Sequence, residues 1–391
     1  MHTLSDLDLS GQRVLTRVDF NVPMENAAIT DDTRIQGALP TIRAILDGGG
    51  TPILMSHLGR PKGAPDPEFS LRPVADHLGT LLDVTVTFCE TTIGDDAEAC
   101  VADVAASGAR GVVLLENTRF LPGETSNDDE TARGLARLGD VFVSDAFGSV
   151  HRAHASTAGV AALLPSAAGK LLERELTFLH GALEDPDRPF VAILGGAKVS
   201  DKIGVIQALA PKVDRLLIGG AMAYTFLRAL GHETGSSLVE EDKTDEAFRL
   251  YDQFRDTIVL PSDHIVADSF SADAETQTVE TIPDGWMGLD IGPATTAQYK
   301  DVISNASTVI WNGPMGVFEM DAFASGTRAV AQALADATEA SGAMTIVGGG
   351  DSVAAINESG LGDAVSHVST GGGAMLELLE GQTLPGVAAL G

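Results

Sequence analysis

Charged side chains of this 391-residue chain gather where short apolar runs give way to loops. Asp19 and Asn21 follow the first run, which itself carries Arg17. His57 and Arg60 follow the second, Arg119 the third, and Asp145, His151, Arg152 and His154 the fourth. Arg34 stands in the first turn of the helical stretch after the first run. A cation is disfavoured there by the helix dipole, and a bound anion would remove the conflict. Arginine is always charged and offers paired donors to phosphate and carboxylate, so these positions suit a small ligand bearing both groups.

The second half ends its apolar runs on glycine instead. Gly195-Gly196-Ala197-Lys198, Gly219-Gly220-Ala221, Asn312-Gly313-Pro314-Met315-Gly316, Gly348-Gly349-Gly350-Asp351 and Gly371-Gly372-Gly373 all occupy such places. Glycine lets backbone N–H groups approach phosphates, and a following helix N-terminus adds partial positive charge. One glycine pair is more often a plain turn, whereas this recurrence describes a nucleotide bed. Lys198 and Lys202 are spaced to share a helix face and point to phosphate. Asp351 is spaced equally well to hold Mg²⁺ or to cap a helix. Glu319 is placed either to meet ribose hydroxyls or to be solvated. Neither G-x-x-x-x-G-K-[ST] nor G-x-G-x-x-G occurs, which counts against P-loop and dinucleotide-binding proteins, dehydrogenases included.

These residues need a scaffold that presents strand ends. The runs Arg13–Val18, Pro52–Met55, Gly111–Leu115, Val141–Val143, Phe190–Leu194, Arg215–Ile218, Thr308–Trp311 and Thr345–Val347 are short and nearly all apolar, as parallel strands covered on both faces require. Helical spacing separates them. In Asp31–Asp47 the residues Ile35, Ala38, Leu39, Ile42, Ile45 and Leu46 form one stripe, with a kink or break expected at Pro40. The alternation predicts an α/β chain of two doubly wound parallel-sheet (Rossmann-like) domains joined by a helix, with a cleft between them. The expected divisions are an anion-binding domain over 1–168, a helix and linker over 169–188, a nucleotide-binding domain over 189–375 and a tail over 376–391.

Composition narrows the partners. Apolar residues make up 44% of the chain, enough for sizeable cores, and no run approaches the length of a membrane span. A net charge of −30 repels nucleic acid and anionic membranes. Lysine is scarce relative to arginine, and acids are scattered in clusters such as Asp128-Asp129-Glu130 and Glu240-Glu241-Asp242, a pattern expected of a protein adapted to high internal salt. Cys89 and Cys100 fit no metal or redox motif and are expected to be inert thiols in a reducing cytoplasm. Nothing demands an interface, so a monomer is expected.

The ordered segments RVDFNVP (Arg17–Pro23), DDTRI (Asp31–Ile35), SHLGRPKG (Ser56–Gly63), LENTRF (Leu115–Phe120), DAFGSVHRAHAS (Asp145–Ser156), LGGAKVSDKIGVI (Leu194–Ile206), DIGP (Asp290–Pro293), WNGPMGVFE (Trp311–Glu319), GGGDS (Gly348–Ser352) and STGGGA (Ser369–Ala374) together resemble phosphoglycerate kinase. The resemblance runs from about residue 10 to the C-terminus. It implies reversible phosphoryl transfer from 1,3-bisphosphoglycerate to Mg·ADP, giving 3-phosphoglycerate and Mg·ATP. By matching motifs, Asp19, Asn21, Arg34, His57, Arg60, Arg119 and Arg152 would hold the phosphoglycerate, with Arg17 in support. Gly195, Lys198, Lys202, Gly219, Asn312, Pro314, Glu319, Gly349, Gly350, Asp351 and Ser352 would hold the nucleotide, with Asp351 on the metal. Arg34 and Lys198 would flank the moving phosphoryl group, and Gly371, Gly372 and Gly373 would add donors. The resemblance also implies domain closure and a tail returning to the first domain. Ser144 stands where many members carry Asn, and Ala221 where a third glycine is usual. The acceptor is a carboxylate, already ionised at neutral pH, so no base is needed. A non-catalytic binding protein on the same fold would tolerate loss of Arg34, Lys198 and Asp351, yet all are present.

Overall fold

The β-branched apolar runs form strands, and the amphipathic stretches between them form helices that cover both faces. The computed structural model describes residues 1–26 and 28–391. In chain order the first strands are β1 (Arg13–Arg17), the antiparallel hairpin β2 (Met24–Glu25) and β3 (Ala28–Ile29), β4 (Thr51–Met55), β5 (Thr85–Cys89), β6 (Gly111–Leu115), β7 (Val141–Ser144) and β8 (Ser166–Ala168). Six of them make a parallel sheet in the order β5-β6-β4-β1-β7-β8. The chain leaves β1 toward β4 on one side and later returns to β7 on the other, so the sheet reverses its winding at β1.

The later strands are β9 (Phe190–Leu194), β10 (Arg215–Ile218), β11 (Ile258–Val259), β12 (His264–Ala267), β13 (Thr276–Val279), β14 (Met287–Ile291), β15 (Thr308–Asn312), β16 (Met344–Gly348) and β17 (His367–Val368). A second six-stranded parallel sheet runs β11-β10-β9-β15-β16-β17, and an antiparallel sheet runs β13-β12-β14. Contacts divide the chain into Met1–Leu176 with Thr383–Gly391, and Thr177–Gln382. The division falls inside the helix Lys170–Glu184, whose N-terminus is held when Leu171 N and Leu172 N donate to the buried Asp145. The tail joins the first unit, where Gly386 N donates to Val150 O.

Two expectations are corrected. The break expected at Pro40 does not occur: the helix Thr33–Asp47 runs through it. Proline costs a helix interior about 3 kcal/mol, but the buried stripe Ile35, Leu39, Ile42, Ile45 and Leu46 contributes about 1.5–3 kcal/mol per side chain. Pro40 also faces solvent, where water can satisfy the carbonyl it leaves unbonded. The cysteines are not free thiols: Cys89 at the end of β5 and Cys100 on the helix Asp95–Ala106 form a disulfide. The turn after β5 folds that helix back along the strand and brings the two Cα atoms to 6.2 Å, within bonding range. Among the described residues no helix is long and apolar enough to cross a membrane.

Candidate active site

In the first unit the candidate residues lie at the carboxyl ends of β1, β4, β6 and β7 or just beyond. Arg34, the second residue of its helix, donates to Asp19 Oδ1 at 3.2 Å and to Asn21 O at 3.1 Å. Asn21 Oδ1 accepts from Gly59 N at 2.8 Å, and Arg119 donates to Gly59 O at 2.5 Å. Gly59 therefore joins three of the loops. Its φ of +61° and the Phe69 ring against its α-carbon leave no room for a side chain. Arg60 and Arg152 are exposed, whereas Arg17 and His57 are buried.

Like charges crowd this edge. Burial lowers the Arg119 pKa, and Arg17 and Arg60 lower it further against the opposing Glu124 and Asp19. Burial opposes the Asp19 charge, but basic neighbours, Arg34 and Arg17 among them, hold its pKa below the ordinary value. Burial drives His57 down to about 3, aided by Arg17, Arg119 and Arg34 and opposed by Asp19, so the ring is neutral at pH 7. An anion at this edge would relieve the repulsion.

In the second unit the glycine loops interlock. Gly195 N donates to Asn312 O at 3.0 Å, Gly196 N to Pro314 O at 3.0 Å, and Gly220 N to Met315 O at 2.9 Å. Gly219 N donates to Leu194 O, also at 2.9 Å. A Cβ on Gly195 would strike the carbonyls of Gly313 and Pro314. Ser352 Oγ accepts from Gly313 N at 2.5 Å, so this hydroxyl braces the loop after β15. Lys202 donates to Asn312 Oδ1, while the buried Asn312 Nδ2 has no partner in the structure. Burial lowers the Lys202 pKa to about 8, against Asp201, Asp351 and Glu380. Gly350, Asp351, Glu319 and Lys198 are exposed. Gly349 precedes the helix Gly350–Glu358, and Gly371 precedes the helix Gly372–Leu379.

Lys198 and Lys202 do not share a helix face. Lys198 lies in the loop after β9, and the helix begins only at Ile203, because the Gly195-Gly196 turn and its bonds to the neighbouring loop delay it. Sequence reasoning also missed two buried acids, Asp290 and Glu124, and the burial of Asp145, which it had named. Asp290, its pKa raised to about 7 by burial, accepts from Gly326 N at 2.7 Å and from Ile291 N at 2.9 Å. Burial likewise raises Asp145 to about 8. Glu124, fully buried, binds both the backbone and the hydroxyl of Ser156. Asp290 and Asp145 lay inside motifs, but their spacing carried no sign of burial.

An arginine-rich strand edge on one α/β unit and a set of glycine loops on another suit a phosphotransferase that takes two anionic ligands. The sequence profile of phosphoglycerate kinase matches residues 4–382. The phosphoglycerate kinase of Herpetosiphon aurantiacus is 59% identical over 394 residues, covering 99% of this chain and 98% of that protein. That of Salinibacter ruber is 58% identical over 395 residues with the same coverage. The structure of phosphoglycerate kinase from Coxiella burnetii is similar at a TM-score of 0.87 and 43% identity, covering 99% of this chain and 98% of that one. The enzyme from Pyrococcus horikoshii gives 0.86 at 32% identity, covering 100% and 98%. The chain belongs to the phosphoglycerate kinase family and is a kinase acting on phosphoglycerate and ADP or ATP.

Proposed function

We propose that the two beds divide the substrates. The edge formed by Asp19, Asn21, Arg34, His57, Arg60, Arg119 and Arg152 holds 3-phosphoglycerate or 1,3-bisphosphoglycerate, with Arg17 buried behind it. The loops bearing Lys202, Asn312, Glu319, Gly349, Gly350 and Asp351 hold ADP or ATP, and Gly195, Gly219, Pro314 and Ser352 brace those loops. The observation that carries this reading is the repelling cation cluster around Gly59, which needs an anion. Arg34 and Lys198 stabilise the phosphoryl group in transit, with backbone donors at Gly371, Gly372 and Gly373. The carboxylate acceptor requires no base, so positioning and charge do the chemistry.

The unpartnered Asn312 Nδ2 suits an oxygen ligand, and the exposed Asp351 suits Mg²⁺. Among the described residues no cluster of three or more ligating side chains forms a cage. One carboxylate with phosphate oxygens and water is an ordinary Mg²⁺ set. When bound, Mg²⁺ would neutralise phosphate charge. A monomer, a cytoplasmic location and adaptation to salt complete the reading. The location is supported by the substrates, which are intracellular metabolites, and the salt adaptation by the net charge of −30.

Calorimetry on two variants tests the division. Arg60→Ala should weaken 3-phosphoglycerate binding and spare Mg·ADP, and Asp351→Ala should do the reverse. Loss of the same ligand in both variants would overturn it.

A further inference from the structure

We propose that Glu124 is a positioning residue: through Ser156 and Arg17 it holds His57 as the imidazole tautomer whose Nε2 carries the proton, for donation to the phosphoglycerate. This rests on assigning that edge to phosphoglycerate. Four buried side chains form a continuous chain. Glu124 Oε1 accepts from Ser156 Oγ at 2.6 Å, and its Oε2 accepts from Ser156 N at 3.0 Å. Ser156 Oγ accepts from Arg17 Nε at 2.9 Å, and an Arg17 terminal nitrogen lies 3.0 Å from His57 Nδ1. Each role follows from chemistry. A guanidinium can only donate, so His57 Nδ1 must accept. An imidazole that accepts at Nδ1 and is uncharged carries its hydrogen on Nε2.

Energetics point the same way. Glu124, Ser156 and Arg17 are 0%, 0% and 1% exposed. Burial works against the Arg17 charge, and Glu124 is the first group sustaining it, ahead of Asp19. No direct ion pair joins Glu124 to Arg17: the Glu124 charge acts on Arg17 through space, and Ser156 sets the direction of the hydrogen bonds between them. Glu124 also fixes the backbone here: its carbonyl accepts from Ala155 N at 2.9 Å. The groups facing His57 are Asp19, Arg17, Arg119 and Arg34, and their balance with burial keeps the ring neutral. A neutral donor of fixed tautomer adds no further charge to a crowded cationic edge, and its donation does not vary with pH near neutrality.

Nitrogen NMR of the His57 ring and calorimetry with 3-phosphoglycerate and Mg·ADP test this on wild type, Glu124→Gln and Ser156→Ala. Wild type should show the Nε2–H tautomer, unchanged from pH 6 to 8. Both variants should mix tautomers and weaken 3-phosphoglycerate about tenfold, the scale of one charged hydrogen bond, while Mg·ADP affinity stays fixed. A thermal melt and circular dichroism spectrum matching wild type show that a variant is folded. If Glu124→Gln does not fold, Ser156→Ala and the wild-type spectrum decide. An Nδ1–H wild-type ring, or unchanged or tighter 3-phosphoglycerate binding in a folded variant, overturns the proposal. Wild type that binds Mg·ADP but no 3-phosphoglycerate would instead break the underlying assignment of the edge.

Discussion

Replacing Arg34 by alanine should separate catalysis from folding. The side chain is 36% exposed, and its ion pair with Asp19 spans 3.2 Å. Such a pair contributes about 0–1 kcal/mol to stability. Its position in the first turn of the helix Thr33–Asp47 costs about 0.3–1 kcal/mol against the dipole. The two terms nearly cancel, and Asp19 keeps the nearby Arg17 charge and a bond from Asn21 N at 3.2 Å. The melting temperature should therefore move by no more than about 4 °C. Losing one preorganised donor to developing charge costs about 100- to 1,000-fold in kcat. A coupled assay with 3-phosphoglycerate and Mg·ATP, paired with a thermal melt, measures both quantities. A raised KM with unchanged kcat would refute the transition-state role, and a melt lowered by more than about 10 °C would show that the stability terms were misjudged.

Three further outcomes are expected. Lys202, its pKa lowered to about 8 by burial, should regain its proton when phosphates arrive, so Mg·ADP binding near pH 8.5 should take up protons. Calorimetry in buffers of different ionisation enthalpy reads this, and zero uptake would count against a phosphate contact. Reducing the Cys89–Cys100 bond, which spans 11 positions, should remove about 2–3 kcal/mol and lower the melt by about 5–10 °C. Free thiols present before reduction, or an unmoved melt, would contradict this. Raising KCl from 0.1 to 3 M should raise the melting temperature, because screening shortens from about 10 Å to below about 3 Å over a chain of charge −30. A flat or falling trend would reject salt adaptation.

The parallel strands were legible because burial on both faces leaves them almost purely apolar, as in Gly111–Leu115 and Phe190–Leu194, which lie fully buried. The antiparallel sheet was not. Its strand Thr276–Val279 is largely exposed and polar, and His264 and Asp290 interrupt the apolar pattern of its partners. Candidate site residues were legible where a charge follows a strand or opens a helix, as with His57 after Met55 and with Arg34 and Asp351 in first helical turns. Pairings that depend on tertiary approach were hidden. Cys89 and Cys100 meet only because a helix folds back along a strand, and Glu124 meets Ser156 across 32 positions. Helical spacing misread Lys198 and Lys202 because the turn's backbone bonds start the helix later.

Turnover of 3-phosphoglycerate with Mg·ATP by the purified chain, followed across KCl concentrations, tests most directly that the two beds serve one phosphoryl transfer. The reaction should require both substrates, stop when Mg²⁺ is chelated and run faster as salt rises from 0.1 M. Absence of turnover at every salt concentration, with both ligands still bound, would contradict it.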